Sequence, residues 1–268
     1  MTFALVIAGV LVAAPPEPAG QLPLRLEAGQ EFVYDASYTQ TSARTGARFS
    51  RTHKVETFVM VLNQSGLSAD VAFLTVHQPV QMAGEEPAVT ARLEVGRVDG
   101  LGRIQFSGKR AKWPRVPMEG PPALETLEFP ARPAALAGGQ KWDDPEEFEF
   151  RLAWTVAGVT RYQQHQCVVL VGTHQYGDWQ REDKVWVRLD GGFALRIERK
   201  IEQRTGDFSS TMVAELKSFN PFTLTESERS ARRIEIQQCQ RFADTLDELL
   251  LPRGEPDRRG YDDLLNLI

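Results

Sequence analysis

Three features predict a mainly β protein: two meandering antiparallel sheet halves, half-barrel or sandwich-like, followed by C-terminal helices. Apolar residues recur at every second place in successive segments between residues 31 and 219, as expected of strands with one dry and one wet face. Polar or glycine-bearing turns separate these segments. After residue 220 the apolar spacing changes from two to three or four, the helical interval.

Taken in order, the strands begin at "QEFVYDASYTQ", where Phe32, Tyr34, Ala36 and Tyr38 alternate. The polar turn "ARTG" returns the chain through "RFSRTHKVETFVMVLNQ", and a second turn covers Asn63 to Gly66. "LSADVAFLTVHQ" and "AVTARLEVGRV" continue the meander across the "AGEEP" break, and a short fifth strand surrounds Ile104 and Phe106. This first half spans 21–109.

Residues 110–145 hold seven prolines, Pro145 closing the run, and neither a helix nor a central strand passes through that spacing. The segment predicts an extended crossover lying against the core through Trp113, Leu124, Leu127, Phe129 and Trp142. The second half, 146–220, opens with "EEFEFRLAWTVAG" and "TRYQQHQCVVLVGTHQ", two strands expected to join at a Gly158 turn. The hairpin 181–204 and the strand "FSSTMVAELKSF" complete it.

The hairpin 181–204 decides whether the charge is reactive or solvated, since twelve of its twenty-four residues are charged. Val185, Val187, Leu189, Phe193, Leu195 and Ile197 share one face if the loop is the three residues Asp190–Gly192. That register sets Leu189 opposite Phe193, Val187 opposite Leu195, Trp186 opposite Arg196, Lys184 opposite Glu198 and Glu182 opposite Lys200. Such pairs contribute about 0.2–1 kcal/mol each. Trp186 is expected to stack with Arg196. The charges therefore read as a neutralised, solvated face.

In the segment 221–268, Thr225 and Glu228 have capping-box spacing. Ile234, Cys239, Phe242, Leu246 and Leu249 or Leu250 mark the apolar side of a helix, with Arg232, Arg233, Gln237, Arg241 and Glu248 opposite. "YDDLLNLI" predicts a second, short helix. Both are expected to pack on the sheet, covering strand groups that would otherwise invite edge pairing.

At the other end of the chain, "MTFALVIAGVLVAAPPEPAG" carries an apolar run from Phe3 to Ala14 that is too short to cross a bilayer but resembles the core of an export signal. Residues 1–20 are therefore read as a leader, the mature chain as periplasmic or extracellular and without a stable transmembrane span. The 268 residues are 42% apolar and 25% charged, with a net charge of −5. That balance describes a globular protein and argues against a nucleic-acid partner.

Candidate chemistry is sparse. His165 and His174 lie nine apart and, with Asp178 or Asp183, would make a metal or catalytic group only by converging across a hairpin; their spacing matches no compact zinc pattern. There is no GxSxG elbow, phosphate loop or dinucleotide fingerprint. No cofactor is implied and no catalytic residue is assigned. Cys167 and Cys239 leave two states open, one disulfide closing about 70 residues or two free, buried thiols. The aromatic residues Tyr34, Tyr38, Phe58, Phe73, Trp154 and Phe193 are the candidate ligand contacts if a curved sheet leaves an apolar cleft, and core residues if it does not.

The strand "LRLEAGQEFVY" and the later "FPARP...LAGGQKW" resemble segments of exported bacterial β-rich proteins of uncharacterised function, and the arrangement resembles lipoprotein carriers, whose curved sheet holds acyl chains under a helical lid. The similarity covers residues 24–219. It implies a cell-envelope protein and supplies no catalytic residue; in the carriers the lid helix comes first, whereas here the helices come last. The leading function is non-catalytic binding of an apolar ligand, a lipid or acyl chain, or of an envelope protein partner. The alternatives are a hydrolase acting on envelope material and a structural or assembly protein.

Overall fold

Eleven antiparallel strands form one sheet in the computed structural model, which describes residues 22–44, 47–80, 90–107, 127–144, 151–220 and 224–250. The strands are β1 (Glu31–Arg44), β2 (Ala47–Ser65), β3 (Ser68–Pro79), β4 (Thr90–Val98), β5 (Ile104–Ser107), β6 (Lys141–Asp143), β7 (Ala153–Tyr162), β8 (His165–Tyr176), β9 (Trp179–Arg188), β10 (Ala194–Gln203) and β11 (Phe208–Asn220). Their spatial order is β5-β4-β3-β2-β1-β11-β10-β9-β8-β7-β6. Each half is a meander, as the alternation predicts, and the two are continuous: β1 pairs with β11 from Glu31↔Asn220 to Ser42↔Phe208. The sheet is open, with β5 and β6 at its edges.

One face carries the core. The even positions of β1 (Phe32, Tyr34, Ala36, Tyr38) pair with the odd positions of β2 (Val59, Thr57, Val55, His53), and this parity passes to Met212 and Ala214 on β11, to Ile197 on β10, to Val185 and Val187 on β9 and to Val168 and Leu170 on β8. Phe32, Tyr34, Val55, Leu170, Val185 and Ile197 are fully buried. Burying a side chain of this size contributes about 1.5–3 kcal/mol, so this row accounts for a large part of the fold's stability. Among the described residues no second sheet covers this inner face. Instead the irregular segments 22–26 and 127–136 lie over it, burying Leu22, Leu24, Leu26, Leu127, Phe129 and Leu136.

Two crowded glycines let these roof segments approach. A Cβ at Gly192 would stand 2.6 Å from the Pro23 carbonyl oxygen, and one at Gly102 would stand 2.6 Å from that of Pro130. Both glycines also have positive φ, 74° and 79°, where other residues are strained.

Several local expectations are corrected. Gly158 is a bulge inside β7, with a register shift between Val156 and Gly158, and the turn to β8 is Gln163–Gln164, both at positive φ. Glycine here bends the strand instead of ending it. In the 181–204 hairpin Trp186↔Arg196, Lys184↔Glu198 and Glu182↔Lys200 pair as expected, but Val187 pairs with Ala194, because a bulge between Ala194 and Arg196 absorbs Leu195. Lys141–Asp143, read as crossover, is edge strand β6 and pairs with β7.

Helix α1 (Glu226–Leu250) begins with the expected capping box: Glu228 accepts from the Thr225 backbone N–H at 2.9 Å, and Thr225 Oγ1 accepts from the Glu228 N–H at 3.4 Å. The helix touches β4 and β2. Its half-buried positions include Arg229, Arg233 and Ile236, while Ile234 and Cys239 face outward. The side turned to the sheet is thus not the Ile234–Cys239 stripe, and Arg233 lies on the half-buried side, not the wet one. Cys239 is an exposed free thiol and Cys167 a buried one; no disulfide joins them, because one lies on the outer side of α1 and the other inside the sheet. The leader 1–20, the "YDDLLNLI" helix and Trp113 and Leu124 of the crossover lie outside the described residues.

Candidate ligand-binding face

Five of the six aromatic candidates share the inner face. Tyr34, Tyr38, Phe73, Trp154 and Phe193 are each at most 5% exposed. Phe58 lies on the opposite face, 40% exposed, because it occupies an even position of β2. The inner aromatics interlock around Phe32, whose ring centroid is 5.6 Å from Phe129 and 5.0 Å from Phe193 in edge-on contacts. Phe73 reaches Phe129 at 6.1 Å. Phe129 belongs to the roof, so the roof and the sheet share one aromatic cluster.

The roof is fastened by a small set of polar contacts. Leu24 donates its N–H to the Gly100 carbonyl at 3.0 Å and Arg25 to that of Gly191 at 3.1 Å. Arg132, 3% exposed, donates Nε to the Leu22 carbonyl at 3.0 Å and Nη1 to that of Pro130 at 2.9 Å. The Ala194 N–H donates to the Glu128 carbonyl at 2.9 Å, while the Ala194 carbonyl accepts from the Tyr34 hydroxyl at 2.9 Å. The Glu128 side chain is 2% exposed and its Oε2 has no hydrogen-bond partner among the described residues. Burial raises this carboxyl to about 7, with Glu94 adding to the rise, against a backbone hydrogen bond and Arg199.

Beyond the aromatic cluster the same face turns polar. Asp183, fully buried, accepts from Arg181 Nη2 at 2.6 Å and from Arg199 Nε at 2.9 Å. Burial alone would raise the Asp183 carboxyl, but the two guanidiniums outweigh it and hold it below the usual carboxylate range. The face continues to Tyr38 and to His53 and His77, whose rings stack at 4.7 Å. Burial lowers both imidazoles, His77 to about 4. Arg181, Asp183 and Arg199 correct the reading of this hairpin's charge as wholly solvated. Their signal was in the sequence: each holds an odd position, the parity of the dry face.

On the outer face Lys184 and Glu198, and Glu182 and Lys200, are register neighbours as expected, but the ion pairs run along the strand and to β11: Lys200 pairs with Glu202 at 2.8 Å, and Lys184 lies over the Trp186 ring at 4.7 Å. Arg196 lies over the Trp186 ring at 5.6 Å and ion-pairs with Glu198 at 2.7 Å and also with Glu215.

The candidate chemical group does not assemble. His165 and His174 stand at opposite ends of β8, because a strand rises about 3.3 Å per residue and the two are nine apart along it. His174 Nδ1 lies 2.6 Å from the Arg151 carbonyl, and Asp178 belongs to the turn after β8. Burial pushes the Cys167 thiol up to about 11, away from the thiolate that nucleophilic chemistry requires. Among the described residues no three His, Cys, Asp or Glu side chains gather to hold a metal, and no helix is long and apolar enough to cross a membrane.

No protein-family model and no curated protein sequence matches this chain. Among solved structures it has faint similarity to a DUF1329 family protein from Desulfovibrio piger, at 12% identity over 75% of this chain and 90% of the other, with a TM-score of 0.26. A domain from Vibrio parahaemolyticus assigned to outer membrane lipoprotein sorting aligns at 9% identity over 77% and 92%, TM-score 0.23. A LolA superfamily protein from Nitrosomonas europaea aligns at 10% identity over 76% and 91%, TM-score 0.17.

Proposed function

We propose that this chain is a non-catalytic binding protein of the cell envelope that takes an apolar ligand, a lipid or acyl chain, between the inner face of its open sheet and the irregular roof. The observation carrying this reading is the roof itself. A broad apolar sheet face is covered by two segments without regular structure, fastened by the contacts of Leu24, Arg25, Glu128 and Arg132. Displacing residues 127–136 would uncover Phe32, Phe73 and Phe193, with Tyr34 beside them, while Trp154 lies further along the same face and Tyr38 stands where that face turns polar. Segments outside the strand ladders open more readily than sheet strands, so a ligand entering here would replace the apolar contacts of Leu127, Phe129 and Leu136 with its own.

Native mass spectrometry of the protein purified from a bacterial envelope tests this reading. The expected result is a retained species of lipid mass, and uptake of a fluorescent fatty acid after delipidation. Amide exchange in 127–136 is expected to be faster than in β1 and β11 without ligand and to slow with it. A chain that retains no lipid, takes up no fatty acid and protects 127–136 as strongly as its central strands overturns the proposal.

A further inference from the structure

The outer face of the central strands carries hydrogen-bonding side chains in register. Ser50, Thr41, Ser209, Glu202, Gln180 and Gln175 form one row across β2, β1, β11, β10, β9 and β8, each directly paired with the next. The neighbouring row adds Thr52, Thr39 and Thr211 on β2, β1 and β11. Strand spacing sets these groups about 4.8 Å apart, close to the length of one sugar ring in an extended chain.

At the strand ends this row runs into a cleft of about 380 Å³, walled by Arg48 on one side and by Gln203, Arg204, Asp207 and Phe208 on the other. The volume falls within the range of about 300–1,000 Å³ that holds small ligands. The wall is braced by backbone bonds: the Ala43 N–H donates to the Asp207 carbonyl at 2.7 Å and the Arg204 N–H to that of Asp178 at 2.8 Å. Glu202 is engaged by Lys200 at 2.8 Å. Arg48, Gln180, Gln203, Arg204 and Asp207 line the cleft with guanidinium, amide and carboxylate groups that can donate to and accept from a ligand.

The lining selects the class of ligand. Arg48 and Arg204 balance Glu202 and Asp207, so the cleft gives no strong preference to an ion of either sign. Amides and hydroxyls both donate and accept, which suits a molecule whose own groups do both. Ala43 and Phe208 alone are apolar, too little for an acyl chain. We infer that this cleft is a binding site for a short, neutral saccharide lying across the strand ends. The cleft lies at the rim of the sheet, where Thr41, Gln180 and Glu202 of the outer parity meet Gln203 and Phe208 of the inner one, and no residue of the roof segments lines it, so the site does not depend on lipid binding.

Titration of isotopically labelled full-length protein with cellobiose, maltose and N,N′-diacetylchitobiose, followed by amide NMR shifts, tests the inference. At least one disaccharide is expected to bind in the millimolar range or tighter, with shifts centred on Thr41, Gln180 and residues 202–209. Loss of two amide contacts in the Gln180→Ala, Gln203→Ala double variant is expected to weaken binding by about tenfold or more while leaving the melting temperature unchanged. Thr41→Trp, which fills the cleft, is expected to abolish binding, and serves as the second variant should the double one fold poorly. Absence of shifts with all three sugars, shifts centred elsewhere, or full binding by the well-folded variants overturns it.

Discussion

Arg199 on β10 faces Asp183 on β9 across the inner side of the sheet and donates to both of its carboxylate oxygens, at 2.9 and 3.1 Å. Asp183 is fully buried, Arg199 4% exposed, and Arg181 shares the same carboxylate. The group therefore holds its charges away from water, in an interior where each depends on the others.

Removing the central charge exposes that dependence. Asp183→Asn leaves Arg181 and Arg199 without their shared counter-ion, and is expected to cost about 3–5 kcal/mol in urea unfolding. The pH dependence follows from the depressed carboxyl: the stabilisation is complete above the ordinary aspartate value of about 3.9 and is lost as pH falls through the lower folded-state value. The variant should lack this acid-side loss.

Glu128 works in the opposite direction. Its folded-state value of about 7 lies above the ordinary value of 4.5, so the folded protein keeps a proton that the unfolded chain releases between them. Stability is expected to fall as pH rises from 4.5 to 7 and to level off above. Glu128→Gln should remove that slope and raise stability at pH 8 by about 3 kcal/mol, measured by urea unfolding at several pH values.

His77 supplies an acid-side slope of its own. The ring is stacked on His53, its Nε2 is without a partner among the described residues, and burial holds it neutral to about pH 4. Its contribution is present above the ordinary value of 6.5 and is lost as pH drops toward 4, because the unfolded chain takes up the proton first. His77→Phe should flatten the melting temperature between pH 6.5 and 4, with His53, which is also depressed, accounting for any slope left.

Gly192 tests the roof. Its positive φ and the nearness of the Pro23 carbonyl and Arg132 Nη2, 2.6 and 2.4 Å from an added Cβ, leave no room for a side chain. Gly192→Ala is expected to cost about 2–4 kcal/mol. Amide exchange should rise in 22–26 and 127–136 before it rises in β1 or β11.

Much of this fold was legible because alternation is a local signal. The strands from Glu31 to Val98 and from His165 to Asn220 follow from parity; the pairing of Trp186 with Arg196 was expected from a three-residue loop with Leu189 opposite Phe193, whereas the Arg188 N–H bonds to the Phe193 carbonyl across the longer loop Leu189–Gly192 and the bulge at Leu195 restores the register. The Gly158 bulge was misread as a turn, since glycine serves both, and Gln163–Gln164 has none of the residues that favour positive φ in a hairpin. The partner of β1 on its second side lies more than 160 residues away, beyond any local pattern. Arg181, Asp183 and Arg199 were hidden by composition: in so charged a segment, pairing across the hairpin drew attention from the face each charge occupies. Of the six aromatic candidates only Phe58 lies off the inner face, where even numbering on β2 puts it.

The pairing of β1 with β11 has a further consequence for how the chain reaches this state. Strand β1 must wait for β11 before its second edge is satisfied, so a growing chain carries a long unprotected ribbon edge until residues 208–220 are made. Closure over such a sequence distance is slow, and an open edge of this kind pairs readily with other chains. Productive folding is therefore a race between completing the final hairpin and self-association, and slowing synthesis ahead of β11 would tip it toward aggregates.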